Sequence, residues 1–171
     1  MAERTAAAEP ALAPSWTVSR WFNGPPSLTL ESLRGRVVVA YAFQMLCPGC
    51  ALQALPQASR VHETFDAGSV AVIGLHTVFE HHEAMGPASL EAFIHEYRLA
   101  FPIGIDAPGE GGGMPVTMRR YAMRGTPTLL LIDREGRLRK QQFGHVDDLR
   151  LGAEIMALMR DQGPVQGPAG R

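Results

Sequence analysis

Two kinds of hydrophobic pattern alternate along this chain. Val37-Val38-Val39-Ala40-Tyr41-Ala42-Phe43 is a continuous apolar run rich in β-branched residues, which predicts a strand buried on both faces. Residues 70–75 repeat that pattern, and residues 101–105 give a shorter version. Between these runs the apolar positions follow helical spacing. Leu52, Leu55, Ala58, Val61 and Phe65 form one face of a helix starting near Pro48. Leu90, Phe93, Ile94 and Tyr97 recur at i, i+3, i+4 and i+7 in a second, with Pro87 near its start. Pro56 falls inside the first helix and predicts a bend there. A glycine-rich loop over 109–113 precedes a short helix over 116–123. Thr128-Leu129-Leu130-Leu131-Ile132 is another strand, Asp133-Arg134-Glu135-Gly136 a turn, and residues 137–143 the returning arm of a hairpin. Leu151, Ile155, Leu158 and Met159 make the inner face of a last helix, with Asp147 or Asp148 as its cap. Strand–helix–strand units closed by a hairpin and a helix predict an α/β fold, a mixed sheet with helices on both faces.

The ends break this pattern. Residues 1–14 are rich in Ala, Pro and Glu and predict a disordered N-terminal extension; 162–171 read as a flexible tail, leaving one domain over 15–161. A chain of 171 residues with 46% apolar and 19% charged residues can bury a full core for that domain. A net charge of −1 excludes the strongly basic character of a nucleic-acid or anionic-membrane binder. No run is long and apolar enough to span a bilayer. Glu9, Pro10 and Pro14 interrupt any signal-peptide core, so the expected setting is the cytoplasm. In that compartment paired cysteines are catalytic or metal-binding more often than structural.

The chain has two cysteines, and both sit in Cys47-Pro48-Gly49-Cys50, directly after the first buried run. A C-x-x-C where a strand passes into a helix is a redox arrangement. Unpaired N–H groups and the positive end of the helix dipole converge on the first cysteine and favour its thiolate, the reactive form. Pro48 falls near the first helical position, where a missing N–H costs nothing. The segment Leu75-His76-Thr77-Val78-Phe79-Glu80-His81-His82-Glu83 follows the second strand. Parallel neighbours end at the same sheet edge, so this segment is expected near the cysteines. Glu80 and His81, and less readily His76, are candidate proton acceptors; the plainer reading of each is a residue of a solvated loop.

On these residues the chain resembles the thioredoxin-like superfamily, and within it the redoxins: thiol–disulfide oxidoreductases of the TlpA type and the related peroxiredoxins. Cys47-Pro48-Gly49-Cys50 after a buried strand carries the resemblance, with Gly125-Thr126-Pro127-Thr128 before the 129–132 run and Ile132-Asp133-Arg134-Glu135-Gly136 after it. The lead-in from Leu30 to Val39 also matches, and the likeness covers residues 20–160. It implies a thioredoxin-like fold in which Pro127 is cis and lies against the cysteine pair. It implies Cys47 as nucleophile and Cys50 as resolving thiol, with Thr126, Pro48 and Gly49 contacting substrate. The implied substrates are disulfides of proteins or small molecules, reduced at the expense of a partner reductase or thiol donor, without metal or organic cofactor.

The departures are specific. Tyr41 stands where thioredoxins carry a buried aspartate, Leu46 where they carry tryptophan, and Gln53 where many TlpA-type proteins have glutamate. The usual bases for the resolving thiol are therefore missing. Peroxiredoxins have threonine and proline where this chain has Gln44 and Ala40, which ranks a thiol peroxidase using Cys47 as peroxidatic cysteine second. Arg124 is a possible cation for peroxide but reads better as a surface charge at a helix end. A non-catalytic or metal-handling module ranks third. His62 lacks a second histidine at zinc-finger spacing, His81-His82 is too close, and Met118 and Met123 read as core filler.

Overall fold

The computed structural model describes residues 10–161. The tail expected over 162–171 and the first nine residues of the extension lie outside the described residues. Six strands form one sheet in the order β1-β4-β3-β2-β5-β6. They are β1 (Val18–Phe22), β2 (Val37–Phe43), β3 (Val70–His76), β4 (Ile103–Asp106), β5 (Thr128–Ile132) and β6 (Leu138–Phe143). β2, β3 and β4 run parallel, while β1, β5 and β6 are each antiparallel to their neighbours. Every residue of β2, β3 and β5 is buried, as the continuous apolar runs require. The fold is thioredoxin-like α/β.

Helices α1 (Leu55–Thr64), α2 (Pro87–Glu96) and α4 (Asp148–Arg160) cover one face, packing Leu55, Ala58, Leu90, Ile94, Leu151 and Ile155 against Val39, Tyr41, Phe43 and Val72. The other face is covered by the short α3 (Val116–Arg120), by Leu30 and Leu33, and by Met118 and Met123, both core residues. Asp147 is the cap of α4, its carboxylate accepting the N–H groups of Leu149 and Arg150. The 133–136 turn is as expected: Asp133 accepts from Glu135 and Arg137, and Gly136 adopts φ +80°, a conformation that favours glycine.

Three features depart from the sequence reading. The edge strand β1 was not foreseen; five residues with only partial burial carry a weak alternation. Residues 10–14, expected as part of a disordered extension, dock on the hairpin and on the end of α3: Leu12 bridges Arg137, the Ala13 N–H donates to Gly136 O, and the hydroxyl of Tyr121, which follows α3, donates to Pro14 O. The first helix is not a bent α-helix. Its helical run opens at Pro48, passes through a π-helical turn at Cys50–Ala54, and becomes α-helical at Leu55. Pro56 has no N–H for the Leu52 carbonyl and would crowd it. The wider π turn relieves that crowding and places Pro56 in the first turn of α1, where no N–H is needed. The extra residue rotates Leu52 off the inner face to 76% exposure, while Cys50 and Ala54 turn inward.

Candidate functional site

Strand register brings the separated motifs to one edge. Phe43 pairs with His76, Ala42 with Thr128, and Thr128 with Phe143. The chain therefore leaves β3 and β2, enters β5 and leaves β6 side by side. A groove of about 480 Å³ lies across these ends. Its lining follows the strand order: Phe79, Glu80, His81 and Ala84 after β3, Leu46, Cys47 and Pro48 after β2, Gly125 and Thr126 before β5, and Phe143 closing β6.

Cys47 is half-buried in this groove, whereas Cys50 is fully buried; both thiols are free. Cys47 occupies the helix entrance. Its sulfur accepts the Cys50 N–H at 3.3 Å, and its carbonyl takes the N–H groups of Cys50 and Ala51 at 3.0 Å. The thiol lies 3.6 Å from Thr126 O. Burial pushes the Cys50 thiol up to about 12, and the hydrogen bond with Cys47 adds to the rise; the Gln44 main chain and the Thr126 side chain pull the other way. One sulfur is thus accessible and bonded by a helix N–H, while the other keeps its proton until something removes it.

The Thr126–Pro127 peptide bond is cis. A Cβ added to Gly49 would stand 3.5 Å from Pro127 Cδ, so the C-x-x-C turn lies directly on the proline. Gly125 has a different reason to be glycine: a Cβ there would come within 2.9 Å of the Phe143 ring, which closes over it as one wall of the groove. Of the residues expected to contact substrate, Pro48 and Thr126 line the groove, and Gly49 sits behind them against Pro127.

Of the three candidate proton acceptors, Glu80 and His81 line the groove beside Cys47. His76 does not. It is the last residue of β3, 1% exposed, packed against Phe43 at 5.2 Å between ring centroids. Burial lowers it to about 4, so it is a neutral imidazole at pH 7. Tyr41 fills the position of the thioredoxin aspartate but supplies no base, because burial holds its phenol well above the ordinary range. Its hydroxyl donates to Gln57 Oε1 at 3.1 Å, and Gln57 Nε2 donates to Val146 O at 2.7 Å and Asp148 Oδ1 at 2.6 Å.

Sequence reasoning missed Phe143 and Phe79 as walls and treated Leu46 only as a missing tryptophan. Both Leu46 and Phe143 are more than half exposed, and an apolar residue turned outward at a strand end was the available signal. It also read Gln44 only as an absent peroxide-site threonine. The side chain is 1% exposed and fully engaged: Oε1 accepts the Phe79 N–H at 3.1 Å and Nε2 donates to Glu80 Oε1 at 3.3 Å. Arg124 is exposed over the Phe143 ring, 5.9 Å from its centroid, and is not among the groove's lining residues. His62 packs edge-on against Phe101. Among the described residues, no three His, Cys, Asp or Glu side chains converge as a metal site.

Comparison with known proteins agrees with this geometry. A crystal structure of a thioredoxin-like superfamily protein is 56% identical, covers 90% of this chain and 99% of its own, and superposes with a TM-score of 0.87. A thiol-disulfide isomerase from Corynebacterium glutamicum is 47% identical over 88% of this chain and 98% of its own, with a TM-score of 0.84. Sporulation thiol-disulfide oxidoreductase A of Bacillus subtilis is 25% identical over 111 residues, 65% of this chain. The match spans only 61% of that protein's length. The AhpC/TSA family model matches residues 12–141, most of the chain and all of the groove's walls but Phe143, and the chain belongs to that family.

Proposed function

We propose that this protein is a thiol–disulfide oxidoreductase working through Cys47 and Cys50. One observation carries the reading: a half-buried sulfur bonded by a helix N–H stands in an open groove, with a second, fully buried thiol three residues on. In the reducing direction the Cys47 thiolate attacks one sulfur of a substrate disulfide. The S–S bond breaks, the leaving sulfur departs as thiolate and takes a proton, and a mixed disulfide remains on Cys47. Cys50 then loses its proton and attacks Cys47. The Cys47–Cys50 disulfide forms, two electrons pass to the substrate, and its second thiolate leaves and is protonated. Thr126 offers its backbone to the substrate chain, Pro48 and Gly49 shape the contact, and Pro127 supports the pair. Glu80 and His81, which line the groove with Cys47, serve as the proton acceptors in this scheme.

The substrates are disulfides of proteins or small molecules, and a reductase or thiol donor restores the dithiol; no metal or organic cofactor, nucleic acid or membrane enters the scheme. Among the described residues no helix is long and apolar enough to cross a membrane. The cytoplasmic setting expected from the sequence belongs to this proposal, and the redox state of the pair in intact cells tests it.

The decisive experiment is reduction of insulin with dithiothreitol as donor. Cys47→Ser is expected to abolish catalysis, and Cys50→Ser to accumulate a mixed disulfide visible by mass. Fast peroxide consumption that depends on Cys47, with no insulin reduction, would make the protein a peroxidase instead.

A further inference from the structure

Gln44 has an unusual set of partners. Its carbonyl accepts the Cys47 N–H at 3.1 Å, and its main chain favours the Cys50 thiolate against the effect of burial. Its side chain, leaving the same point, spans to the segment after β3 and uses both ends of the carboxamide there. A buried amide is costly unless satisfied, and this one is satisfied by Phe79 and Glu80. The segment is also held from behind. His81 turns the chain at φ +50°, the Ala84 N–H closes on His81 O at 3.0 Å, and Met85 is buried in the core. Glu80 is exposed, yet one carboxylate oxygen is tied to the redox loop and the side chain lines the groove that contains Cys47.

Resting on the oxidoreductase reading above, we propose that Gln44 is a positioning residue that fixes Glu80 as a negative charge beside Cys47, and that this charge makes the groove select disulfides flanked by positive groups. The titratable side chains lining the groove are Glu80, His81 and Cys47; His82 and Glu83 follow on the exposed turn, and Arg124 stands outside against Phe143. The remaining lining is mostly apolar: Leu46, Phe79, Ala84 and Phe143. Such a groove repels an anionic disulfide at the point of attack and holds a cationic one. The selection acts on encounter and binding and leaves the thiol–disulfide exchange chemistry unchanged.

The test uses three disulfides of similar size: cystamine, a dication; bis(2-hydroxyethyl) disulfide, neutral; and 3,3′-dithiodipropionate, a dianion. The pre-reduced full-length protein is mixed with each at pH 8, above the usual imidazole range. Disulfide consumption is quenched with acid and read by mass, and each rate is divided by that of dithiothreitol with the same compound. The wild type is expected to favour cystamine over the dianion by about fivefold or more, the scale of a partly exposed charge pair, with the preference shrinking in high salt. Glu80→Gln should bring the ratio close to one and Glu80→Lys should invert it. Gln44→Met, which keeps the volume but loses both hydrogen bonds, should lower the ratio toward that of Glu80→Gln, and the double variant should add nothing.

A wild-type ratio near one, or a preference for the dianion imposed by Arg124, overturns the proposal. So does a Glu80→Gln variant that slows all three compounds equally, the signature of a proton acceptor alone. An unchanged ratio in Gln44→Met removes the positioning role. A wild type that consumes none of the three disulfides and leaves insulin intact refutes the oxidoreductase reading itself, a result distinct from these.

Discussion

The two sides of the cysteine pair are built differently. On the β5 side, the buried polar groups below the groove form a closed set. Tyr41 bonds Gln57, Gln57 bonds Val146 O and Asp148, and Asp148 bonds Arg60. On the β3 side, His76 is buried with neither ring nitrogen hydrogen-bonded among the described residues, and a single glutamine ties the overlying segment to the redox loop. A satisfied network holds its wall at little net cost, whereas an unpaired imidazole costs stability that packing must offset. The β5 side should therefore be the stiff support of the dithiol, and the β3 side the place where pH and substitution act.

The largest expected effect breaks the stiff side. Gln57→Leu leaves the Tyr41 hydroxyl and the Val146 carbonyl buried without their partner and should cost about 4 kcal/mol in urea unfolding, from two unsatisfied groups at roughly 1–3 kcal/mol each. A loss below about 1 kcal/mol would mean that this network is not what supports β2 and α1.

Acid is the next test, and it acts on the other side. The His76 value falls from 6.5 to about 4 on folding, so between those values the unfolded chain binds the extra proton. Stability from this residue is fully present above pH 6.5 and is lost as pH falls toward 4, by about 3 kcal/mol in total. His76→Leu should flatten that part of the pH–stability curve and leave stability at pH 7.5 equal or higher. An unchanged acid limb in the variant would place the acid-sensitive group elsewhere.

The two thiols sharpen the comparison further. Cys50 should resist alkylation at pH 8 while Cys47 reacts, and in Cys47→Ser the reaction at Cys50 should keep rising far above the ordinary thiol range. The sign for stability is opposite to that of His76. A thiol raised to about 12 holds its proton when the unfolded chain has lost it, so its contribution is present below the ordinary thiol value and lost as pH rises toward 12. Alkylation of Cys50 first and at lower pH would reverse the roles assigned to the pair.

The smallest effect separates the π turn from a regular helix. Leu52→Gln should change stability by less than about 0.5 kcal/mol, while Leu55→Ala should cost about 2–5 kcal/mol. A large cost at Leu52 would put it back on the inner face that simple helical spacing assigns it.

The local signals carried far in this chain. Continuous apolar runs announced β2, β3 and β5 because those strands are buried on both faces, and the C-x-x-C, Thr126-Pro127 and Asp133–Gly136 motifs are local in sequence and local in space. The π turn was not legible, because the crowding from Pro56 has more than one remedy and only packing chose between a bend and an inserted residue. Gln44 was visible but not readable. A glutamine after a strand has no function until the parallel register of β2 and β3 brings residues 79 and 80 within hydrogen-bond distance of it. His76 likewise lies in a run whose residue types state burial but not which groups will lack a partner. The sequence by itself determined the strands other than β1, the order of the motifs and the C-x-x-C at a strand-to-helix junction, since these follow from periodicity and spacing along one chain. The tertiary structure alone decided which residues face each other across the groove, because strand register sets distances between residues 35 or 79 apart that no local pattern encodes.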